Sequence, residues 1–154
     1  MRGKNQDQII PLLQFAFEHG ITIRFLEIMS MGHLYGSANQ YFFSQEDILA
    51  EVRKYYSFRP VIRKKSATAN YWKTSAGNKF GVVANESQTF CSDCNRLRLD
   101  SHGNIYGCLS SNSPVSIKGV DNKVELRYKL QEALAQKQAV KFKGSGLSML
   151  DIGG

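Results

Sequence analysis

No stretch of this 154-residue chain approaches the roughly 18 consecutive apolar residues of a membrane-crossing helix, so no helical span is expected. The opening MRGKNQDQII lacks the apolar core of a secretory signal after its basic start. Cysteine is scarce: there are three, an odd number, and two of them are only three positions apart. That argues against a disulfide scaffold and for reduced, cytoplasmic thiols engaged in metal binding. The three histidines, His19, His33 and His102, sit in unrelated local contexts, so no serine-histidine-acid set is indicated, and no paired carboxylates stand out.

What is present is a modest core and a basic surplus. At 42% hydrophobic the chain suffices for one small domain or a piece of a larger one, and a formal charge of +7 calls for anionic company: nucleic acid, nucleotide or an acidic protein. Arg53, Lys54, Arg59, Arg63, Lys64 and Lys65 are bunched, with Tyr55, Tyr56 and Phe58 among them and no acidic residue. A solvated helix end and strand face is the simplest reading, with a phosphate or nucleic-acid surface second. No helix-turn-helix, zinc-finger pair or Gly-rich RNA-binding loop accompanies the patch.

Periodicity predicts a helix over 6–18 with Ile9, Leu12, Leu13 and Ala16 on one face, its regular part following Pro11. Gly20 ends it, and ITIRFLEIM over 21–29 reads as a strand buried on much of its surface, interrupted by Arg24 and Glu27. Helix, glycine and strand in that order suggest the tail of a parallel α/β unit, whose strand needs neighbours. Glu27 is placed to anchor an arginine or a loop. Met29, Met31 and Gly32 lie at the strand end, the rim where α/β enzymes bind ligands, although a methionine there is more often core packing. Ser44 with Asp47 forms a capping-box variant before a helix burying Ile48, Leu49 and Val52. Beyond Pro60, VIRKK, ANYWKT, a turn at Gly77-Asn78 and KFGVVA predict a small antiparallel region. Leu126, Leu130, Ala133 and Leu134 mark a last helix over about 123–138, followed by a mobile-looking tail, KGSGLSMLDIGG.

All the cysteines fall in FCSDCNRLRLDSHGNIYGCL, residues 90–109. Cys91 and Cys94 form a C-x2-C turn; a hairpin turning at Ser101-His102-Gly103-Asn104 carries Cys108 back toward them. Three thiolates at this spacing suit an iron-sulfur cluster with one iron left open. Structural zinc with His102 as fourth ligand, and ordinary buried thiols, are the alternatives. Arg96 and Arg98 share one strand face, with Leu97 and Leu99 packing behind, and two guanidinium forks suit phosphate or carboxylate. Asp100 either pairs with Arg98 or points to the opposite face.

These residues resemble the C-terminal cluster motif of the GTP 3',8-cyclases, radical S-adenosylmethionine enzymes of molybdenum-cofactor biosynthesis. RGKNQDQI, RFLEIMSMG, SATANYWKTSAGNKFGVV and the terminal Gly153-Gly154 extend the likeness. The resemblance implies an α/β fold: residues 1–35 as the terminal helix-strand portion of an incomplete radical S-adenosylmethionine (β/α) barrel, and 36–154 as a small α+β extension carrying the iron-sulfur and GTP sites. It implies that Cys91, Cys94 and Cys108 ligate a 4Fe-4S cluster whose open iron takes guanine. Arg96, Leu97 and Arg98 would contact GTP, Met29 would contact S-adenosylmethionine, and the Gly153-Gly154 tail would thread toward the active site. The implied activity is that of a carbon-carbon lyase converting GTP to (8S)-3',8-cyclo-7,8-dihydroguanosine 5'-triphosphate. The implied partners are an N-terminal half carrying the radical-generating cluster, a second copy in a homodimer, and the downstream cyclic pyranopterin monophosphate synthase, with neither membrane nor nucleic acid expected.

One departure is decisive for activity. The sequence contains no C-x3-C-x2-C, so ligands for a radical-generating cluster are absent from it and the chain alone is expected to be inactive. Two other readings stand beside the resemblance: a zinc-stabilised nucleic-acid-binding module, and a noncatalytic domain that binds a partner through an exposed α/β edge.

Overall fold

The computed structural model describes residues 1–138, 140 and 142–153. Helix α1 spans Ile9–Glu18 and buries Ile9, Leu13 and Ala16. It begins before Pro11, not after it, because the amide that proline lacks is one of the first-turn donors with no helical acceptor. Leu12, expected on the buried face, is 47% exposed. Helix α2, Gln45–Arg53, starts at the Ser44–Asp47 capping box and buries Ile48, Leu49 and Val52 as the sequence predicts. Strands β1 (Ile23–Leu26), β2 (Phe58–Val61), β3 (Asn70–Thr74) and β4 (Lys79–Val83) form one sheet in the order β1-β4-β3-β2. The antiparallel trio is as expected, with Pro60 tolerated on an edge strand. β1 lies parallel to β4 at the other edge, pairing Ile23 with Phe80 and Leu26 with Val83. This sheet therefore joins a strand from residues 1–35 to three from 36–154.

β1 is less buried than expected. Its residues alternate between half-buried and exposed, with Ile23 and Phe25 packed on the main core and Arg24 and Leu26 on the open face. That core unites Ile9, Leu13, Phe43, Ile48, Leu49, Val52, Trp72, Phe80 and Val82. The buried Glu27 carboxylate sits where β1 ends and accepts hydrogen bonds from the backbone amides of Gln45 (2.7 Å), Glu86 (2.9 Å) and Ser87 (3.0 Å), and from the Ser87 hydroxyl. It anchors a loop, one of its two expected roles, and also the N-terminus of α2, where negative charge is favoured.

The second sheet is the cysteine hairpin. Strands β5 (Arg98–Leu99), β6 (Asn104–Tyr106) and β7 (Val115–Ser116) pair in that order. Helix α3, Lys123–Ala135, covers this sheet, but of its expected face only Ala133 is fully buried, and Leu134 is 45% exposed. The close approach is made at Gly107, where a Cβ would stand 1.8 Å from the Ala133 carbonyl oxygen. The tail that glycine and serine make look mobile is docked. Ser145 forms a parallel bridge with Met31, and a short 3-10 turn, Met149–Ile152, is closed by a Ser148–Asp151 capping box. Ile152 is fully buried beside Met31, Tyr106 and Phe142. Hydrophobic contact across distant segments, which local composition does not register, holds it there.

Candidate functional site

Between the two sheets lies a cavity of about 580 Å³. Its wall carries Cys91, Cys94 and Cys108 together with Arg96 and Arg98. Cys91 opens a single 3-10 turn, Cys91–Asp93, in which the Cys94 amide donates to the Cys91 carbonyl at 3.2 Å. The turn is pinned from outside: Arg63 donates to the Asp93 carboxylate at 2.7 Å and the Ser66 amide does so at 2.9 Å. These bonds and the Arg63 ion pair hold the Asp93 carboxyl below its ordinary range. The basic patch is thus partly consumed by structure, with Arg53 paired to Glu46 and Lys54 to Glu51. The acids that answer it come from outside the bunched stretch.

None of the cysteines is in a disulfide, and all are half-buried. Burial, followed by the neighbouring thiols of Cys108 and Cys94, pushes the Cys91 thiol up. Burial also pushes on Cys94, but a hydrogen bond from the Arg96 backbone and the Lys137 and Arg96 charges outweigh it and bring that thiol down. Among the described residues no group of three His, Cys, Asp or Glu side chains is arranged to hold a single metal ion. His102 is exposed at the hairpin turn. In a cluster each thiolate binds a different iron, so its sulfurs stand farther apart than those of a mononuclear site. Three unoxidised thiols facing one cavity fit that donor set.

The arginines divide their tasks. Arg96 lies over the Phe90 ring at 5.2 Å and donates Nη1 to the Ser66 carbonyl at 2.9 Å, leaving Nη2 buried without a partner. Arg98 donates to the Gly153 carbonyl at 3.0 Å. Gly153 has φ +69°, and a Cβ there would stand 2.2 Å from the Leu99 carbonyl oxygen, so the tail approaches the hairpin as only glycine permits. Gly154 lies outside the described residues. Leu97 faces away from the cavity, against the small core of Ile105, Val115 and Ala133, and Leu99 is 56% exposed instead of packing behind. Met29 lines the cavity.

Asp100 does not pair with Arg98. It closes the hairpin turn, accepting from the amides of His102 (2.8 Å) and Asn104 (2.9 Å), the Asn104 side chain (2.9 Å) and the Tyr106 hydroxyl (3.2 Å). Burial pushes its carboxyl up, but these bonds prevail and bring it from 3.8 to about 2. A depressed carboxyl stabilises the fold fully above its unfolded value, near 3.8, and this contribution disappears as pH falls through about 2. An acid titration followed by NMR should therefore find the 98–106 hairpin resonances responding between about pH 4 and 2, and Asp100→Asn should abolish that response. A hairpin indifferent to acid over that window would show that the cap does not contribute.

Several site residues escaped sequence reasoning. Thr22, Arg24 and Leu26, alternate residues along and just before β1, line the cavity. Their period of two was visible, but Arg24 read as an interruption of a buried strand. Asn85, with its Nδ2 buried and without a partner, and Lys137 also line it. Neither belongs to a local motif. Among the described lining residues are four cations, Arg24, Arg96, Arg98 and Lys137, and no carboxylate. The charge of this lining favours an anion over a cation beside the thiols.

Residues 21–143 of this mixed α/β chain match the family described as Molybdenum Cofactor Synthesis C, which places it among cofactor-biosynthesis proteins. The chain belongs to that family. It is 33% identical over 154 residues to a GTP 3',8-cyclase of Synechocystis, covering all of this chain and 47% of that protein. It is 32% identical over 127 residues to that of Aquifex aeolicus (80% of this chain, 38% of the relative), and 37% over 110 to that of Staphylococcus aureus (70% and 32%). The chain therefore spans less than half the length of these curated relatives. No helix among the described residues is long and apolar enough to cross a membrane.

Proposed function

We propose that this chain is the cluster-carrying, GTP-binding portion of a GTP 3',8-cyclase. The observation that carries the reading is the convergence on one cavity of three thiols and four cations, with no carboxylate among its described lining residues. Cys91, Cys94 and Cys108 would hold a 4Fe-4S cluster, which when bound supplies an iron without a protein ligand to fix the guanine. Arg96 and Arg98 would take the triphosphate, each with a fork suited to phosphate oxygens. The buried Nη2 of Arg96 has no hydrogen-bond partner in the protein, a lack that a phosphate oxygen reaching it would make good. The Leu97 backbone continues the same segment. Met29, three residues beyond the end of β1, would contact S-adenosylmethionine, and the open edge of β1 would continue into the barrel of an N-terminal half that carries the radical-generating cluster. Holding base and phosphates from opposite ends places the reacting atoms of the nucleotide, which is the protein's own share in such a reaction. Gly153 and Gly154 would bring the tail into the same site.

Anaerobic reconstitution with iron and sulfide tests the reading. A brown chain with equal iron and labile sulfide, whose spectrum responds to GTP and whose colour is lost on Cys91→Ser, Cys94→Ser or Cys108→Ser, is the expected result. A colourless chain with one zinc would favour the nucleic-acid-binding module instead. Turnover gives a separate prediction. Reconstituted chain with reductant, GTP and S-adenosylmethionine should form no cyclised nucleotide until a polypeptide bearing C-x3-C-x2-C is added. Product in its absence would overturn the division of labour.

A further inference from the structure

We propose that Lys137 is the clasp of the cysteine hairpin, a positioning residue whose ammonium holds the two cysteine-bearing segments in register and donates to the Cys94 sulfur. Its Nζ donates to the carbonyls of Arg96 and Gly107, the latter at 3.1 Å, and stands 3.7 Å from the Cys94 Sγ. An ammonium has three donors, and three acceptors surround this one. Their places in the chain give the contact its meaning. The β5–β6 ladder pairs Leu99 with Ile105 and Arg98 with Tyr106, and ends there. Just beyond that end lie Arg96, two residues after Cys94, and Gly107, immediately before Cys108. Lys137 bridges them where strand pairing stops. It reaches this position because α3 rests directly on the hairpin at Gly107, where a side chain would collide with the Ala133 carbonyl. Lys137 is itself half-buried, which strengthens its pull on the sulfur.

The clasp is a property of the chain itself; its second consequence rests on the cluster reading above. Hydrogen bonds and positive charge at the sulfurs raise a cluster's reduction potential. Lys137→Met and Lys137→Arg separate the two. In the cluster-free chain, hydrogen exchange of backbone amides in 94–98 and 104–108 should quicken about tenfold in Lys137→Met, with most protection restored in Lys137→Arg. Amides of Phe80 and Val82 should stay protected, certifying the fold. After reconstitution, Lys137→Met should have a lower midpoint potential than the parent, and Lys137→Arg one between them. Hairpin exchange equal to the parent's would overturn the clasp whatever the cluster does. Equal potentials in loaded parent and Lys137→Met would overturn the electrostatic role. If the parent takes up no cluster yet Lys137→Met exchanges faster, the cluster reading and with it the electrostatic role fall, and the clasp stands.

Discussion

Replacing Phe80 by alanine should remove about 3–5 kcal/mol of stability, a large share of the roughly 5–15 kcal/mol a folded domain possesses. Phe80 is fully buried on β4, stacked on Trp72 with ring centroids 5.7 Å apart and meeting Phe58 edge-on at 5.3 Å. Truncation leaves a void between α1, α2 and the sheet that rigid neighbours cannot fill, so lost transfer energy and lost contacts add. Urea unfolding followed by Trp72 fluorescence should give a sharply lower midpoint with an unchanged slope. Phe80→Leu, which retains most of the volume, should lose much less. A loss below about 1 kcal/mol for the alanine variant would mean that this core is not where the fold is held.

Glu27→Ala is the second large effect, and it reaches the site. The carboxylate satisfies three backbone amides, that of Gln45 buried and those of Glu86 and Ser87 part-buried, and a buried donor left unsatisfied costs about 1–3 kcal/mol. With one buried and two part-buried donors released, a total of roughly 2–5 kcal/mol is expected. Because Glu86 and Ser87 open the loop that leads to Cys91, the same variant should take up less iron and sulfide even where it stays folded. Glu27→Gln keeps the shape but presents an amide donor to other donors, so it should fall between. Calorimetry with metal analysis of the folded fraction measures both parts; unchanged cluster uptake in folded Glu27→Ala would separate this anchor from the site.

Much of the local structure was legible because short-range chemistry dictates it. Ser44 and Asp47 can satisfy each other's turn, so α2 begins where the capping box says. Gly77-Asn78 turns the chain between β3 and β4, and the Ser101–Asn104 turn folds the hairpin that returns Cys108. The misreadings have the opposite character. Leu12, Leu99 and Leu134 are apolar residues at plausible periods that find no partner, and a period cannot say which face is covered. The tail looked mobile because what holds it, Met31 and Tyr106 against Ile152 and Ser30 and Asn112 against Ser145, lies far away in the chain.

The sequence by itself determined the chemistry available: three thiols, the Arg96 and Arg98 forks, the hairpin joining them, and the absence of a second cysteine triad. Those follow from residue type and short spacing, and the family likeness rests on the same residues. Only the tertiary structure decided the cavity. It turned the open face of β1 toward the cysteines and so recruited Arg24; it made Asp100 the cap of the turn and not a partner of Arg98. It also brought Lys137 to Cys94 across 43 positions of chain. Such contacts form because packing two sheets and a helix buries apolar surface, and charges carried on those elements arrive together without any local signal of their meeting.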